Sequence, residues 1–173
     1  MEKLNIIPIG KIDQKILDYL KIELRKKFGI EVEIAEPMEK PDYAYNPQRR
    51  QYHSTAILEK ISKLTNGVIL GVVDLDLYVP DLNFVFGEAA PLMRMAIISL
   101  VRLRQEYYGL PKNESLFRER VIKEAVHELG HVFGLNHCRD PKCVMHFSNS
   151  LFDTDKKSSS FCSKCLKLLP KRN

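Results

Sequence analysis

No apolar run in the 173-residue sequence approaches the length that crosses a bilayer, and its start, MEKLNIIPIG, lacks the apolar core of a secretory signal. A cytoplasmic protein with no membrane partner is the expectation. A basic stripe with interleaved aromatics is missing too. Lysines and arginines are scattered, with short clusters only at places such as Lys156 and Lys157 or Lys171 and Arg172. The formal charge of +5 therefore permits weak attraction to acidic partners, and no nucleic acid is expected to bind. No internal repeat is visible, and only Ser158 to Ser160 is low in complexity. Cysteine is sparse, four in all, and in a reducing compartment such residues serve as thiolates or metal ligands rather than disulfides. At 45% hydrophobic and 28% charged, the remainder is ordinary for a globular chain, and 1–173 reads as a single domain with a sizeable core, expected as a monomer.

What the chain does contain is AVHELGHVFGLNH, residues 125–137. Phe117 to Ala125 holds no glycine or proline and is rich in helix formers, so a helix should arrive at His127 already formed. Ile122, Val126, Leu129 and Phe133 make one apolar stripe at i, i+4, i+7 and i+11, and His127 and His131 lie on a different face. Residues four apart on a helix are turned by only about 40° and separated by roughly 6 Å along the axis, so two imidazoles reach one ion. Gly134 stands where a helix stops, because glycine enters the left-handed region without a Cβ penalty. A chain reversal there lets His137 supply a third nitrogen and leaves a fourth tetrahedral position for water, as in a catalytic zinc site. Glu128 points elsewhere on the helix and can meet that water without ligating. H-E-x-x-H-x-x-G-x-x-H is the metzincin signature, tied to a later Met-turn.

Ahead of the motif, Leu4 to Ile9 reads as a strand closed by Gly10, and Ile12, Ile16, Leu20 and Leu24 as a helix to about Lys27, ended by Phe28 and Gly29. Ile30 to Ala35 alternates as a second strand, and Glu36 to Pro47, with three prolines, is a loop. A helix should start near Ser54 with Ile57 and Ile61 inward. The polar and aromatic approach to it, Tyr43, Tyr45, Arg49, Arg50, Gln51, Tyr52 and His53, is either a solvated loop or a wall of a substrate cleft. Val68 to Val73 is a buried central strand, extended by Asp74 to Leu77 with both aspartates on its solvent face rather than on calcium. Leu82 to Phe86 and Met95 to Leu103 read as further strands, Gln105 to Glu114 as a loop, and Ser115 as the N-cap of the motif helix. Strands interleaved with helices imply an α/β fold, a twisted mixed sheet carrying helices.

Beyond the motif, Cys138, Cys143 and the C-x2-C pair Cys162 and Cys165 use every cysteine and suit a tetrahedral structural zinc. Metal on Cys138 would immobilise its neighbour His137. Met145, eight residues past His137, stands where a Met-turn should pass beneath the catalytic metal, and adjacent His146 is a candidate for orienting substrate. Together His127, Glu128, His131, Gly134, His137, Cys138, Cys143, Met145, Cys162 and Cys165 resemble the archaemetzincin pattern H-E-x-x-H-x-x-G-x-x-H-C-x4-C-x-M followed by C-x2-C. RRQYHSTAIL and LNFVFGEA also look like that family, while the stretch from Met145 to Cys162 is slightly shorter than usual for it. The resemblance implies a metzincin-type (α+β, zincin-like) catalytic domain with two Zn2+, one catalytic and one held by four cysteines. It also implies peptidase activity on a peptide or protein, with an aminopeptidase-like character.

The chemistry expected is a water made acidic by a three-histidine zinc and deprotonated by Glu128, which then returns the proton to the leaving amine. Some metzincins add a tyrosine ligand after the Met-turn, but no tyrosine follows Tyr108 here. A substrate with a free amino terminus would need a carboxylate anchor, for which Glu88 is the candidate. The competing reading is a catalytically silent zinc protein of the same fold that binds a partner.

Overall fold

The computed structural model describes residues 2–64 and 66–170. Lys171 and Arg172, one of the basic clusters named above, lie outside them. The elements run β1 (Lys3–Ile9), α1 (Gln14–Phe28), β2 (Glu31–Ile34), β3 (Tyr45–Asn46), β4 (Gln51–His53), α2 (Ser54–Ile61) and β5 (Val68–Val73). Then follow β6 (Leu77–Tyr78), β7 (Gly87–Ala90), β8 (Met95–Ser99), α3 (Glu114–Val132), α4 (Leu151–Lys156) and α5 (Ser163–Leu168).

A five-stranded sheet in the order β2-β1-β5-β8-β7 forms the centre, parallel except for its β7 edge. Its alternating side chains divide two cores. Leu4, Ile6, Val68, Leu70, Val72, Ala96 and Ile98 face α1 and α3, whereas Ile9, Ile69, Met95 and Ile97 face Ile57, Leu58 and Ile61 of α2. Because the strands are covered on both sides, β5 is buried at every position, which is why Val68 to Val73 reads as a continuous apolar run. Helix α1 begins with Asp13 accepting from the Lys15 N–H at 2.9 Å and ends at Gly29, φ 61°, whose N–H returns to the Arg25 carbonyl.

Several boundaries move from the sequence expectation. The strand expected at Leu82 to Phe86 lies at Gly87–Ala90 instead, and 82–86 is irregular apart from a bridge between Val85 and Leu77. Small residues serve that edge because α3 lies directly on it: a Cβ on Gly87 would stand 2.9 Å from Glu128 Cγ. β8 stops at Ser99, and Val101–Leu103 coils into a 3-10 turn. The N-cap of α3 is Asn113, whose side chain accepts from the Leu116 N–H at 3.0 Å, rather than Ser115. Asp74 and Asp76 do not extend β5. Two guanidinium nitrogens of Arg102 hold Asp76 at 2.6 and 2.8 Å, and Arg104 holds Asp74, so both carboxylates are tied to cations at a chain bend instead of facing solvent from a strand.

The aromatic approach to α2 keeps Tyr43, Tyr45 and Arg50 exposed, as a solvated segment would, but it is not a loop throughout and none of it lines the cleft. It folds into a three-stranded sheet, β3-β4-β6, that holds the cleft wall from behind. Gln51, 5% exposed, donates to the Asn83 carbonyl at 2.8 Å and to Asp76, and Arg49 donates to the carbonyls of Leu82 and Asn83 while lying over the Tyr78 ring.

Candidate metal centre

Helix α3 is buried on nearly all sides. The stripe expected to face the sheet does so through Ile122, Val126 and Leu129, with Phe133 partly buried at the end. The opposite side carries Arg120, Glu124, His127 and His131, again at i, i+4, i+7 and i+11, with Glu128 beside them. At its C-terminus the helix is released by Gly134, φ 93°, and the Leu135 N–H closes back on the Gly130 carbonyl at 2.9 Å. That reversal brings His137 to the two helical histidines, with ring centroids 5.3 and 4.8 Å from those of His127 and His131.

Tautomers follow from the backbone. His127 Nδ1 lies 2.8 Å from the Val144 carbonyl and His131 Nδ1 lies 2.7 Å from that of Leu135. A carbonyl only accepts, so each Nδ1 carries the proton and each Nε2 keeps its lone pair. Those two Nε2 atoms are 3.2 Å apart, and one ligand nitrogen from each of the three rings falls within 4.8 Å of the others. Burial, reinforced by Lys157, holds His127 down to about 3, and burial lowers His131 and His137 as well. Neutral imidazoles converging lone pairs on one point fit a zinc ion, with room for a fourth, non-protein ligand.

The histidines open into a cleft of about 370 Å³ also lined by Phe84, Phe86, Gly87, Glu124, Glu128, Phe147, Ser148 and Lys157. Burial, with Glu124 adding to it, raises the Glu128 carboxyl well above the usual range. Met145 is fully buried under the helix at Gly130, where a Cβ would meet its Sδ at 2.3 Å.

The four cysteines are free thiols whose sulfurs lie within 4.8 Å of one another, with Cys138 and Cys162 Sγ 3.8 Å apart. The Cys162 N–H donates to Cys143 Sγ at 3.3 Å. The Cys165 N–H pulls the Cys162 thiol down to about 7, whereas burial pushes Cys143 and Cys165 up. Amide donors aimed at sulfur suit thiolate ligands, so this group fits a closed tetrahedral zinc.

Two candidates are placed elsewhere. Glu88 pairs with Ile97 in register, so its side chain points to the α2 face, away from the cleft, where it accepts from Ser54 Oγ and, at 2.7 Å, Thr55 Oγ1. It is not a cleft anchor. His146 turns its Nδ1 to the Cys138 carbonyl at 2.8 Å, bracing the loop between the two metal groups rather than meeting substrate.

Four residues escaped the sequence reading. Gly130 has meaning only against Met145. Arg120, Glu124 and Lys157 were readable in part, since the first two continue the histidine face of the helix. Lys157 looked like half of a surface cluster, yet it is 2% exposed, while its neighbour Lys156 lies over the Phe152 ring.

Three neutral imidazoles around one point, beside a carboxylate at the side of a cleft, define a zinc hydrolase site of the three-histidine kind. A sequence model of peptidase family M54 matches residues 13–171. The chain is 47% identical to archaemetzincin of Methanocaldococcus jannaschii and 48% identical to that of Pyrococcus abyssi, covering 96% of this chain and 92% and 93% of theirs. Crystal structures of archaemetzincin from Archaeoglobus fulgidus, complexed with malonate, and of a zinc-dependent peptidase from Methanocorpusculum labreanum are similar throughout. Their TM-scores are 0.84 and 0.89 at 40% and 29% identity, over 96% of this chain and 99% and 100% of those chains. The chain belongs to the archaemetzincins, peptidase family M54. It is a zinc metallopeptidase of the metzincin-type α/β fold, and its substrates are peptides.

Proposed function

We propose that the chain hydrolyses peptide bonds with Glu128 as general base beside a zinc held by His127, His131 and His137, and that a second, structural zinc sits on Cys138, Cys143, Cys162 and Cys165. The observation that carries this reading is the pair of Nε2 atoms 3.2 Å apart, each fixed by a carbonyl behind it, in the cleft that Glu128 lines. Zinc bound there supplies Lewis acidity toward the scissile carbonyl and toward water. Glu128 takes a proton from the attacking water as its oxygen bonds to the carbonyl carbon, then delivers it to the nitrogen as the C–N bond breaks. A carboxyl raised by burial is a stronger base once ionised, the direction this task needs. Gly87 leaves space for it.

The aminopeptidase-like restriction that the family resemblance implies loses its candidate anchor with Glu88, so we take peptides as the substrate without requiring a free amino terminus. Four thiols free of disulfides fit a reducing compartment such as the cytoplasm. Glu128→Gln should retain zinc and lose about 10²- to 10⁴-fold in hydrolysis. Unchanged turnover in that variant would remove Glu128 from the mechanism, and equal inactivity of the wild-type zinc protein on a broad peptide library would favour the silent, partner-binding alternative.

A further inference from the structure

One end of the cleft is chemically equipped and not used by the hydrolytic step. Past Glu128, one turn toward the start of α3, lies Glu124, with Lys157 close enough to act on it electrostatically; both line the cleft, as does Ser148. Glu124 is 3% exposed and Lys157 2%. Burial works against the charged form of both, raising Glu124 and lowering Lys157, while each partly offsets the other's shift, and among the described residues no direct ion pair joins them. Glu124 accepts only a long bond, 3.4 Å, from Thr154 Oγ1. Lys157 Nζ donates to the His146 carbonyl at 3.0 Å, and its 3.4 Å approach to His127 Nδ1 adds no bond, because that nitrogen's proton is directed at Val144. An ammonium has three donors, so Lys157 keeps spare capacity. Ser148 Oγ is buried with no hydrogen-bond partner among the described residues. The other charged group nearby, Lys123, is turned to the carbonyls of Thr154 and Asp155.

Which part of a substrate reaches this end follows from the proton's path, and here the inference rests on the proposed function. Glu128 must reach both the attacking water and the departing nitrogen, so that nitrogen lies on Glu128's side of the histidines. Of the substrate's residues, the one that carries it is the one whose side chain is within reach of Glu124 and Lys157, which line the cleft one turn further along from Glu128. A hydrocarbon side chain would exclude water from both charged ends and return no hydrogen bond. A carboxylate would meet Lys157 but face Glu124 and Glu128, and an ammonium would meet Glu124 but face Lys157. A carboxamide offers an acceptor and a donor with no net charge.

We propose that this end of the cleft selects a leaving-side residue with a carboxamide side chain, asparagine or glutamine, its oxygen accepting from Lys157 Nζ and its NH2 donating to Glu124. Glu124 and Lys157 are thereby specificity determinants of the peptidase rather than parts of the proton relay.

The test is binding, which needs no turnover. Zinc-loaded protein of measured metal content is titrated calorimetrically with hydroxamates in which the zinc-chelating group precedes one residue, whose side chain is that of glutamine, leucine, glutamate or lysine. The glutamine compound should bind roughly 10- to 100-fold more tightly than the leucine compound, and more tightly than either charged one. In Lys157→Met the glutamine advantage should fall to about twofold or less while the leucine compound still binds. A leucine, glutamate or lysine compound binding best to the wild type, a preference surviving Lys157→Met, or no binding by zinc-loaded protein would each overturn the inference. If Lys157→Met does not fold, the wild-type ranking decides alone. A protein that shows the ranking but cleaves no peptide would contradict the hydrolase reading and leave this one standing.

Discussion

At position 130 a single hydrogen is all the space allows. Adding a Cβ there brings it within 2.3 Å of Met145 Sδ and 3.0 Å of its Cε, so Gly130→Ala must displace the fully buried methionine from beneath the metal site. We expect a loss of about 1–3 kcal/mol in denaturant unfolding, as for overpacked cores, with zinc affinity weakened alongside. Histidine titration gives a second residue-level outcome. In the metal-free protein His127 is held down to about 3, while the unfolded chain takes up that proton near 6.5. Lowering the pH through 6.5 therefore favours the unfolded state, and stability is lost progressively until about pH 3. Raised carboxyls at Glu124 and Glu128 act in the opposite sense above about pH 4.5. The outcome is therefore read as the melting-temperature difference between chelated wild type and chelated His127→Gln, which should shift against the wild type as the pH falls through that window, and zinc-loaded protein should resist until the metal leaves. The metal ligands were legible in the sequence because their spacing is a property of one helix and its exit. Glu124 and Lys157 were not, since 33 positions separate them and only folding brings both to one cleft.

Elements were legible where periodicity was strong and shifted where packing decided the matter. β1, α1, β5 and α2 fall close to where apolar spacing puts them. The β7 edge does not, because Phe84 and Phe86 turn into the cleft and to each other, ring centroids 5.1 Å apart, and leave pairing to Gly87–Ala90, small enough to lie under α3. The same helix docks the segment that carries Lys157. Arg120, 4% exposed, grips the carboxylate of Asp155 with two bonds of 2.8 Å, and Lys123 donates to the Thr154 carbonyl at 3.2 Å. Arg120→Met should detach α4 at a cost of about 1–3 kcal/mol, less than a fully buried pair because Asp155 is partly exposed. Faster amide exchange over 151–157 with β5 unchanged would verify that the effect is local.

Across the whole molecule the two metal groups are joined by one stretch of chain. His137 adjoins Cys138, whose N–H donates to the Met145 carbonyl at 2.9 Å and whose carbonyl takes His146 Nδ1, while Val144 accepts from His127 and its own N–H reaches the Ser160 carbonyl. The sulfur group thus fixes the loop that presents the third histidine and the Met145 support. Cys165→Ser should remove the zinc proposed on the four cysteines and weaken the one proposed on the histidines by about 10- to 100-fold, read by metal analysis after competition with a chelator.

The most direct test sets matched zinc-loaded samples of wild type and Glu128→Gln against one peptide library, with metal content and cleavage products measured by mass spectrometry. Equal zinc in both, with peptide-bond cleavage by the wild type alone, is the outcome expected from His127, His131 and His137 holding the ion and Glu128 moving the proton. Equal zinc with equal cleavage, or zinc lost along with the carboxylate, would contradict it.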